Sequence, residues 1–188
     1  MIVQDIINTI SEQTRDVDNI TWTESDIFGY INEAYKIIIQ AKPEASVKKE
    51  NVSCVIGILQ SLPDDSVSLI NVLHNDDGTV INEVDVTQKD AYSPGWRNTT
   101  PGTIVKEFFR RAEPTDFEVW PPLSEVKDIM VEYSFIPVDV TAVGDTIAIH
   151  NSVNDQFINY CLYKTFARDS EDTPSVKRAA LYLQLAKV

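Results

Sequence analysis

The residue types that most often carry acid–base or nucleophilic chemistry are scarce in this chain. Its 188 residues include two histidines, His74 and His150, and two cysteines, Cys54 and Cys161. Histidine supplies most general acid–base catalysis near neutral pH, and a nucleophilic cysteine needs a base beside it. The spacing pairs none of these four side chains with another. We therefore expect both histidines to be surface or helix-capping residues and both cysteines to be small core residues.

The sequence motifs of catalysis, cofactor binding and metal binding are also missing. There is no nucleophile elbow, phosphate loop, dinucleotide fingerprint or helical metalloprotease motif, and the six glycines do not cluster. The pairs Asp64-Asp65 and Asp76-Asp77 could offer oxygens to a calcium ion, but both lack the spacing of a calcium loop. The sequence therefore predicts no cofactor, no metal and no enzyme activity. A hydrolase with an unrecognised carboxylate site is the least favoured alternative.

The charge of the chain is strongly acidic and unevenly spread. Lysine and arginine number 16 against 29 acidic residues, for a net charge of −13, and the stretches 51–88 and 128–163 contain no lysine or arginine. Such a surface repels phosphate backbones, so sequence-specific binding of DNA or RNA is disfavoured. The candidates for a functional acidic surface are Asp64, Asp65, Asp76 and Asp77. The alternative is that the charge only keeps the protein soluble.

Lys106, Arg110 and Arg111 form a dense basic patch, and Trp120 follows on the next predicted strand. These cations predict a contact for an acidic neighbour, which could be another copy of the chain. Trp120 is a candidate for the same interface, although tryptophans are more often core anchors. The alternative is a solvated edge strand that charge protects from aggregation.

The composition is that of a globular protein, with 43 % hydrophobic and 24 % charged residues. No apolar run approaches the length of a membrane span, and the residues after Met1 lack the basic and apolar regions of a signal peptide. We therefore expect no membrane association and synthesis in a cytoplasm.

Helical patterns occupy both ends of the chain. From Val3 to Ile10 apolar residues recur at three- and four-residue steps, and Thr23 with Asp26 resembles a capping box before a second apolar pattern. Together these patterns predict a helical hairpin over residues 1–42.

In the C-terminal region, 151–188, Ser152 is expected to cap a helix that is apolar on two sides. That helix is expected to break at 169–172, and Thr173 with Pro174 then begins a last helix. The residues expected to face inward in this last helix are Val176, Ala179, Ala180 and Leu183.

The middle of the chain, residues 51–150, shows the two-residue period of strands between turn-forming residues. The predicted elements are a hairpin around 75–78, a hairpin around 112–115, a strand over 129–135 and a short helix over 86–92 capped by Asp85 or Thr87. The fold class is therefore predicted as α+β, with terminal helices forming a small bundle that carries a central antiparallel β region. All of it is expected to form a single domain over 1–188.

Several short blocks follow one another in an order known from one protein family. The blocks are Trp22-Thr23-Glu24-Ser25-Asp26-Ile27, Tyr30-Ile31-Asn32-Glu33-Ala34, Leu62-Pro63-Asp64-Asp65, Phe117-Glu118-Val119-Trp120-Pro121-Pro122, Val131-Glu132-Tyr133 and Ala167-Arg168-Asp169-Ser170-Glu171. Their order, from Thr21 to about Leu183, resembles that of the phage head-to-tail adaptor proteins of the tail-tubular-protein-A type. The order along the chain carries this resemblance more than any single block.

The resemblance implies a structural virion protein without an active site. Twelve copies would form a ring beneath the portal of the capsid and extend the DNA channel to the tail. The implied partners are other copies of the chain, the portal and a downstream tail or nozzle protein, while DNA would only pass through an acidic channel that repels it. The expected location is the head–tail junction of the virion, after assembly in the host cytoplasm. The alternative is another virion module, such as a fibre-docking or capsid-stabilising protein.

Overall fold

A computed structural model describes residues 2–16, 18, 20–168 and 173–187, with helices towards both ends of the chain and strands in the middle. The helices are α1 Val3–Thr14, α2 Glu24–Ala41, α3 Val86–Tyr92, α4 Asn154–Arg168 and α5 Thr173–Leu185. The strands are β1 Val47–Cys54, β2 Gly57–Ser61, β3 Ser66–Asn75, β4 Asn82–Glu83, β5 Glu107–Arg110, β6 Asp116–Leu123 and β7 Lys127–Phe135. The predicted α+β fold class is confirmed.

The chain divides into two compact units. The first, which we call the helical unit, joins Met1–Ser46 to Ile136–Val188 and contains α1, α2, α4 and α5. The second, the β unit, is Val47–Phe135 and contains all the strands together with α3. The strands therefore begin earlier and end earlier than the β region predicted over 51–150. The single domain predicted over 1–188 stays a prediction.

The segment 136–150 belongs to the helical unit and forms loops, although the predicted β region extended to residue 150. The Asp145 carboxylate accepts a hydrogen bond from the backbone N–H of Thr141 at 2.8 Å. The Asn32 side chain on α2 both accepts from the N–H of Val140, at 2.9 Å, and donates to its carbonyl, at 3.2 Å. Polar side chains thus satisfy backbone groups that a sheet would otherwise pair.

Helix α4 lies at the centre of the helical unit. It is apolar on two sides, as predicted, and it buries Phe157, Cys161 and Phe166. Helices α1, α2 and α5 all pack on it, and the rings of Tyr35 on α2 and Phe157 lie 5.2 Å apart between centroids. Because α4 offers two apolar faces, α1 and α2 pack mainly on α4. The helical hairpin predicted over 1–42 stays a prediction.

Two helix starts carry predicted caps. The Thr23 hydroxyl accepts from the Asp26 N–H at 3.3 Å, and the Asp26 carboxylate accepts from the Thr23 N–H at 3.2 Å, which is the predicted capping box. Of the two candidates for the cap of α3, Asp85 is the one used, and it accepts from the N–H of Gln88 at 3.0 Å.

The two histidines lie at the start of a short 3-10 turn and near the end of a strand. His150 caps a short 3-10 turn before α4, because its Nδ1 accepts from the N–H of Ser152 at 3.2 Å. His150 is therefore a capping residue, as expected. The cap was predicted at Ser152, and that prediction is wrong. His74 is half-buried on β3, and its Nδ1 lies 2.7 Å from the carbonyl oxygen of Asn75.

The β unit contains a three-stranded sheet, in the order β1-β7-β3, and a four-stranded sheet, in the order β2-β6-β5-β4. Side chains of both sheets share one apolar core, and its members include Val52, Cys54, Leu69, Val72, Phe108, Phe117, Val119, Ile129, Val131 and Tyr133. Cys54 lies in this core and Cys161 in the helical unit, both free and buried, as predicted. The hairpin of β5 with β6, the strand within β7 and the helix α3 are also confirmed.

The hairpin predicted around 75–78 is right in its turn and wrong in its strand pairing. The turn forms as expected, and Gly78 adopts a φ of +84°, which glycine tolerates because it has no Cβ. Beyond the single bridge of His74 with Val80, however, the chain leaves β3, and β4 pairs parallel with β5. Ile81, which is 4 % exposed, lies in the shared core, so burial of this residue favours the crossing to the second sheet.

The last helix departs from its predicted orientation. The predicted break at 169–172 lies outside the described residues, and α5 is described from Thr173. Ala179 is buried as expected, but Val176 is 47 % exposed, Leu183 is 41 % exposed and Ala180 is exposed too. In the part of the chain that the structure describes, no helix has the length and apolar content needed to cross a bilayer.

Candidate interaction surfaces

Residues at the start of α2 meet the end of α4 inside the helical unit. Trp22 is buried, and the Arg168 guanidinium lies 5.5 Å from its ring centroid. The same guanidinium forms an ion pair with Asp26 at 2.8 Å. The pKa of Asp26 lies below its usual value, mainly because of the hydrogen bond from Thr23, with Arg168 adding to the effect. These motif residues therefore join α2 to α4.

A second contact of the same kind lies near the middle of both helices. The Glu33 carboxylate accepts from the Tyr160 hydroxyl at 2.9 Å and from the Lys164 ammonium at 3.0 Å. Burial acts to raise the pKa of Glu33, but the hydrogen bonds from Lys164 and Tyr160 outweigh it, and the pKa is lowered. The carboxylate is thus held ionised between two donors. Together with the ion pair of Asp26 and Arg168, these contacts form an internal clamp of the helical unit.

The predicted interface residue Arg110 is engaged within the β unit. Its Nε lies 2.7 Å from Glu83 on β4, and its guanidinium donates to the carbonyl oxygens of Leu69 and Ile70 on β3. The guanidinium therefore bridges the second sheet to the edge strand of the first. An edge strand whose carbonyls already have donors is a poor template for pairing with another chain.

Arg111 and Trp120 lie on the outer face of β5 and β6, beside α3. Arg111 forms an ion pair with Glu118 at 2.5 Å. The Lys89 ammonium lies 3.9 Å from the centroid of the Trp120 ring and 2.6 Å from Glu107. The indole N–H of Trp120, which is half-buried, donates to Thr99 at 2.8 Å. The other predicted patch residue, Lys106, is exposed, with its ammonium 5.9 Å from the Trp120 ring centroid.

The structure therefore brings Arg110, Arg111, Lys106 and Trp120 to one hairpin, as predicted, but most of their polar groups contact neighbours in the same unit. Arg110 and Arg111 also line a shallow cavity of about 250 Å³ at the β5–β6 turn. A partner at this surface would have to displace ion pairs that already exist, which reduces the gain from binding.

The four predicted acidic residues are all exposed but lie in two places. Asp64 and Asp65 precede the first residue of β3, and Asp76 and Asp77 follow its last residue. At about 3.3 Å per residue, the ten-residue strand separates the pairs by roughly 30 Å. Asp65 forms an ion pair with Lys48 at 2.7 Å, and Asp77 accepts from the Thr79 N–H at 2.8 Å. The four carboxylates thus form two separate acidic surfaces.

An exposed apolar surface that sequence reasoning missed lies at one end of the β unit. We call it the apolar tip, and it consists of Val55, 57 % exposed, Ile56, 65 % exposed, and Val126, 60 % exposed. Val55 and Ile56 connect β1 to β2, and Val126 lies in the turn from β6 to β7. Because Cys54 pairs with Lys127 and Gly57 with Leu123, the two connections lie next to each other.

A buried glutamine fixes the shape of the apolar tip. Gln60, 1 % exposed, accepts from the Val55 N–H at 2.7 Å and donates to the Val55 carbonyl at 2.9 Å and the Gly57 carbonyl at 3.3 Å. Its amide thereby satisfies the backbone of the connection from inside. The sequence Val-Ile-Gly-Ile-Leu reads as one buried strand, and only strand register shows where the connection lies.

A second missed surface runs along α5. Val176, Ala180 and Leu183, at steps of four and three residues, share one side of the helix and are exposed. We call these residues the α5 stripe. The helix buries its neighbouring side through Ala179, while the ring of Tyr182 stacks on Phe166 with centroids 5.6 Å apart. The spacing of these residues predicts one side of a helix, but the prediction that this side faces inward is wrong.

Comparison with known proteins identified no relatives: no protein-family model matches the chain, and no curated protein matches it significantly. Among the described residues, no three His, Cys, Asp or Glu side chains are grouped so that they could hold a metal ion. The surfaces described above are therefore interpreted from their own geometry and charge.

Proposed function

We propose that this protein is a structural component of a phage virion, a head-to-tail connector subunit that acts by assembly and not by catalysis. The observation that carries the proposal is the presence of two different exposed apolar surfaces, the apolar tip on the β unit and the α5 stripe on the helical unit. Apolar surface left open on a folded chain favours association with other proteins. The order of the adaptor-like blocks along the chain suggests that this assembly is a head-to-tail connector.

In this proposal, copies of the chain form a ring beneath the portal protein and extend the DNA channel to a downstream tail or nozzle protein. The resemblance suggests twelve copies. The complex would be assembled in the host cytoplasm and would remain in the virion at the head–tail junction. Asp64, Asp65, Asp76 and Asp77 would lie towards the channel or the outer surface, and carboxylates in the channel would let DNA pass without binding.

The helical unit suits the ring body, because its polar clamps already fix α2 on α4. The contacts of Glu33 with Tyr160 and Lys164, and of Asp26 with Arg168, join two helices at separate points along their length. A body with a fixed internal geometry can present the same angle to every neighbour, which closed rings require.

The test is electron microscopy of the full chain co-expressed with the portal protein encoded in the same genome. The proposal predicts closed rings of the chain on one end of the portal. Portals that carry no added ring would contradict it. Stable trimers of the chain alone, or binding to capsid shells in place of portals, would favour the alternative of a fibre-docking or capsid-stabilising module.

A further inference from the structure

We infer that the apolar tip of one copy binds the α5 stripe of the next copy. The inference rests on the proposed function and names the contact by which the copies would associate. Two features of the described residues support it: the rigidity of the apolar tip and the opposite charges that border the two surfaces.

The apolar tip is preorganised for binding. Because Gln60 holds the backbone of Val55 and Gly57 through three hydrogen bonds, the connection does not need to become ordered when it meets a partner. A rigid surface loses less conformational entropy on binding, and this raises affinity.

Acidic residues border the apolar tip. The turn from β3 to β4 lies at the same end of the β unit, because Asn75 pairs with Ile129 two residues after Lys127. The carboxylates near this end are those of Asp76, Asp77, Glu125 and Asp128, and the Lys127 ammonium forms an ion pair with Glu125 at 3.3 Å. The tip is apolar at its centre and acidic at its border.

Basic residues border the α5 stripe. Lys177 follows the first residue of the stripe, and Lys187 lies four residues after Leu183, while the segment from Thr173 to Lys187 contains no acidic residue. An acidic border meets a basic border around two apolar centres, so each surface fits the other better than it fits itself.

The occupant of each surface is therefore a second copy of this chain. Two tips facing each other would bring acidic borders together, and two α5 stripes would bring basic borders together. A contact between two different surfaces of identical chains is heterologous, and repeated heterologous contacts close into rings or continue as filaments. This is the contact type that a connector ring needs.

The test uses one cysteine on each surface, Ile56→Cys and Leu183→Cys, in separate full-length chains. The native thiols should stay silent, because burial raises the pKa of Cys54 to about 12 and also raises that of the buried Cys161. The two variants are mixed with the portal protein, exposed to a short bis-maleimide cross-linker and run on a denaturing gel. The matched control replaces Ile56→Cys by Ile20→Cys, since Ile20 is 79 % exposed and lies on neither surface.

The inference predicts that the mixture forms covalent dimers, that the double variant forms a ladder of higher multimers, and that each single variant stays monomeric. Dimers of Ile56→Cys or of Leu183→Cys alone would overturn it, as would cross-linking no stronger than with the Ile20→Cys control. Imaging the same samples separates the two proposals. Rings at the portal without this cross-link would refute the inference alone, whereas the cross-link with open filaments would refute the connector function alone.

Discussion

The charged and aromatic surface of the β5–β6 hairpin differs from the two apolar surfaces in how far its groups are already satisfied. At the β5–β6 hairpin, Arg110 contacts Glu83 and two carbonyls of β3, and Arg111 contacts Glu118. At the apolar tip and the α5 stripe, large apolar side chains remain open to solvent. The comparison teaches that the basic side chains of this hairpin stabilise the β unit internally, while the large side chains open to a partner at the other two surfaces are apolar.

The largest effect should come from the amide that shapes the apolar tip. In Gln60→Leu the backbone groups of Val55 and Gly57 lose their partners, so we expect the free energy of unfolding to fall by about 3 kcal/mol. Urea denaturation followed by circular dichroism measures it. Gln88→Leu, at an exposed position of α3, is the control and should change stability by less than about 0.5 kcal/mol. Equal losses in both variants would show that the hydrogen bonds of Gln60 do not stabilise the fold.

The next effect tests whether Arg110 is an internal fastener. Arg110→Ala removes the donors of two β3 carbonyls and the partner of Glu83, and we expect a loss of about 1–2 kcal/mol in unfolding free energy. Lys106→Ala, at an exposed residue of the same patch, should have little effect. If both variants kept wild-type stability but lost self-association, the basic patch would be an interface after all.

A smaller effect concerns the clamp between α2 and α4. Glu33→Gln should lower the unfolding free energy by about 0.5–1 kcal/mol, because the carboxylate is partly exposed and its attraction to Lys164 is screened. The folded-state pKa of Glu33 is lowered, so this contribution is fully present above the unfolded value and disappears as the pH falls through the folded value. The wild-type advantage measured at pH 7 should therefore vanish in strong acid. Glu44→Gln, at an exposed position, is the matched control and should change stability by less than about 0.5 kcal/mol at pH 7.

The smallest effect should appear in association and not in stability. Lys177→Glu reverses a charge at the border of the α5 stripe, and we expect self-association to weaken a few-fold at low salt and less at 0.5 M salt. Adding Glu125→Lys on the apolar tip should restore part of the loss. Sedimentation velocity of the single and double variants measures both effects, and no recovery in the double variant would argue against the opposite borders meeting.

Local signals in the sequence predicted local structure well. The capping box of Thr23 with Asp26, the cap Asp85 and the turn ending at Gly78 depend on residues within a few positions, so the sequence contains all their determinants. The path after Gly78 depends on the burial of Ile81 among distant strands, which spacing along the chain does not encode. The predicted hairpin is therefore right in its turn and wrong in the pairing of the strand that follows the turn.

The candidate surfaces show the same division. Charge density located Arg110 and Arg111 on one hairpin, but their partners Glu83 and Glu118 are known only from strand pairing. A helical repeat such as the α5 stripe predicts that its residues share a side, yet the same spacing describes a buried side and an exposed one. Which side of α5 faces solvent depends on how α5 packs on α4, and that is a tertiary property.

The most direct test of the account is the number of copies that co-sediment with the portal complex when one exposed isoleucine is made charged. We expect Ile56→Asp, on the apolar tip, to abolish the added copies, and Ile20→Asp and Arg111→Ala to retain them, with all three chains folded by circular dichroism. Retention by Ile56→Asp together with loss in Arg111→Ala would contradict the account, because assembly would then depend on the charged hairpin and not on the apolar surfaces.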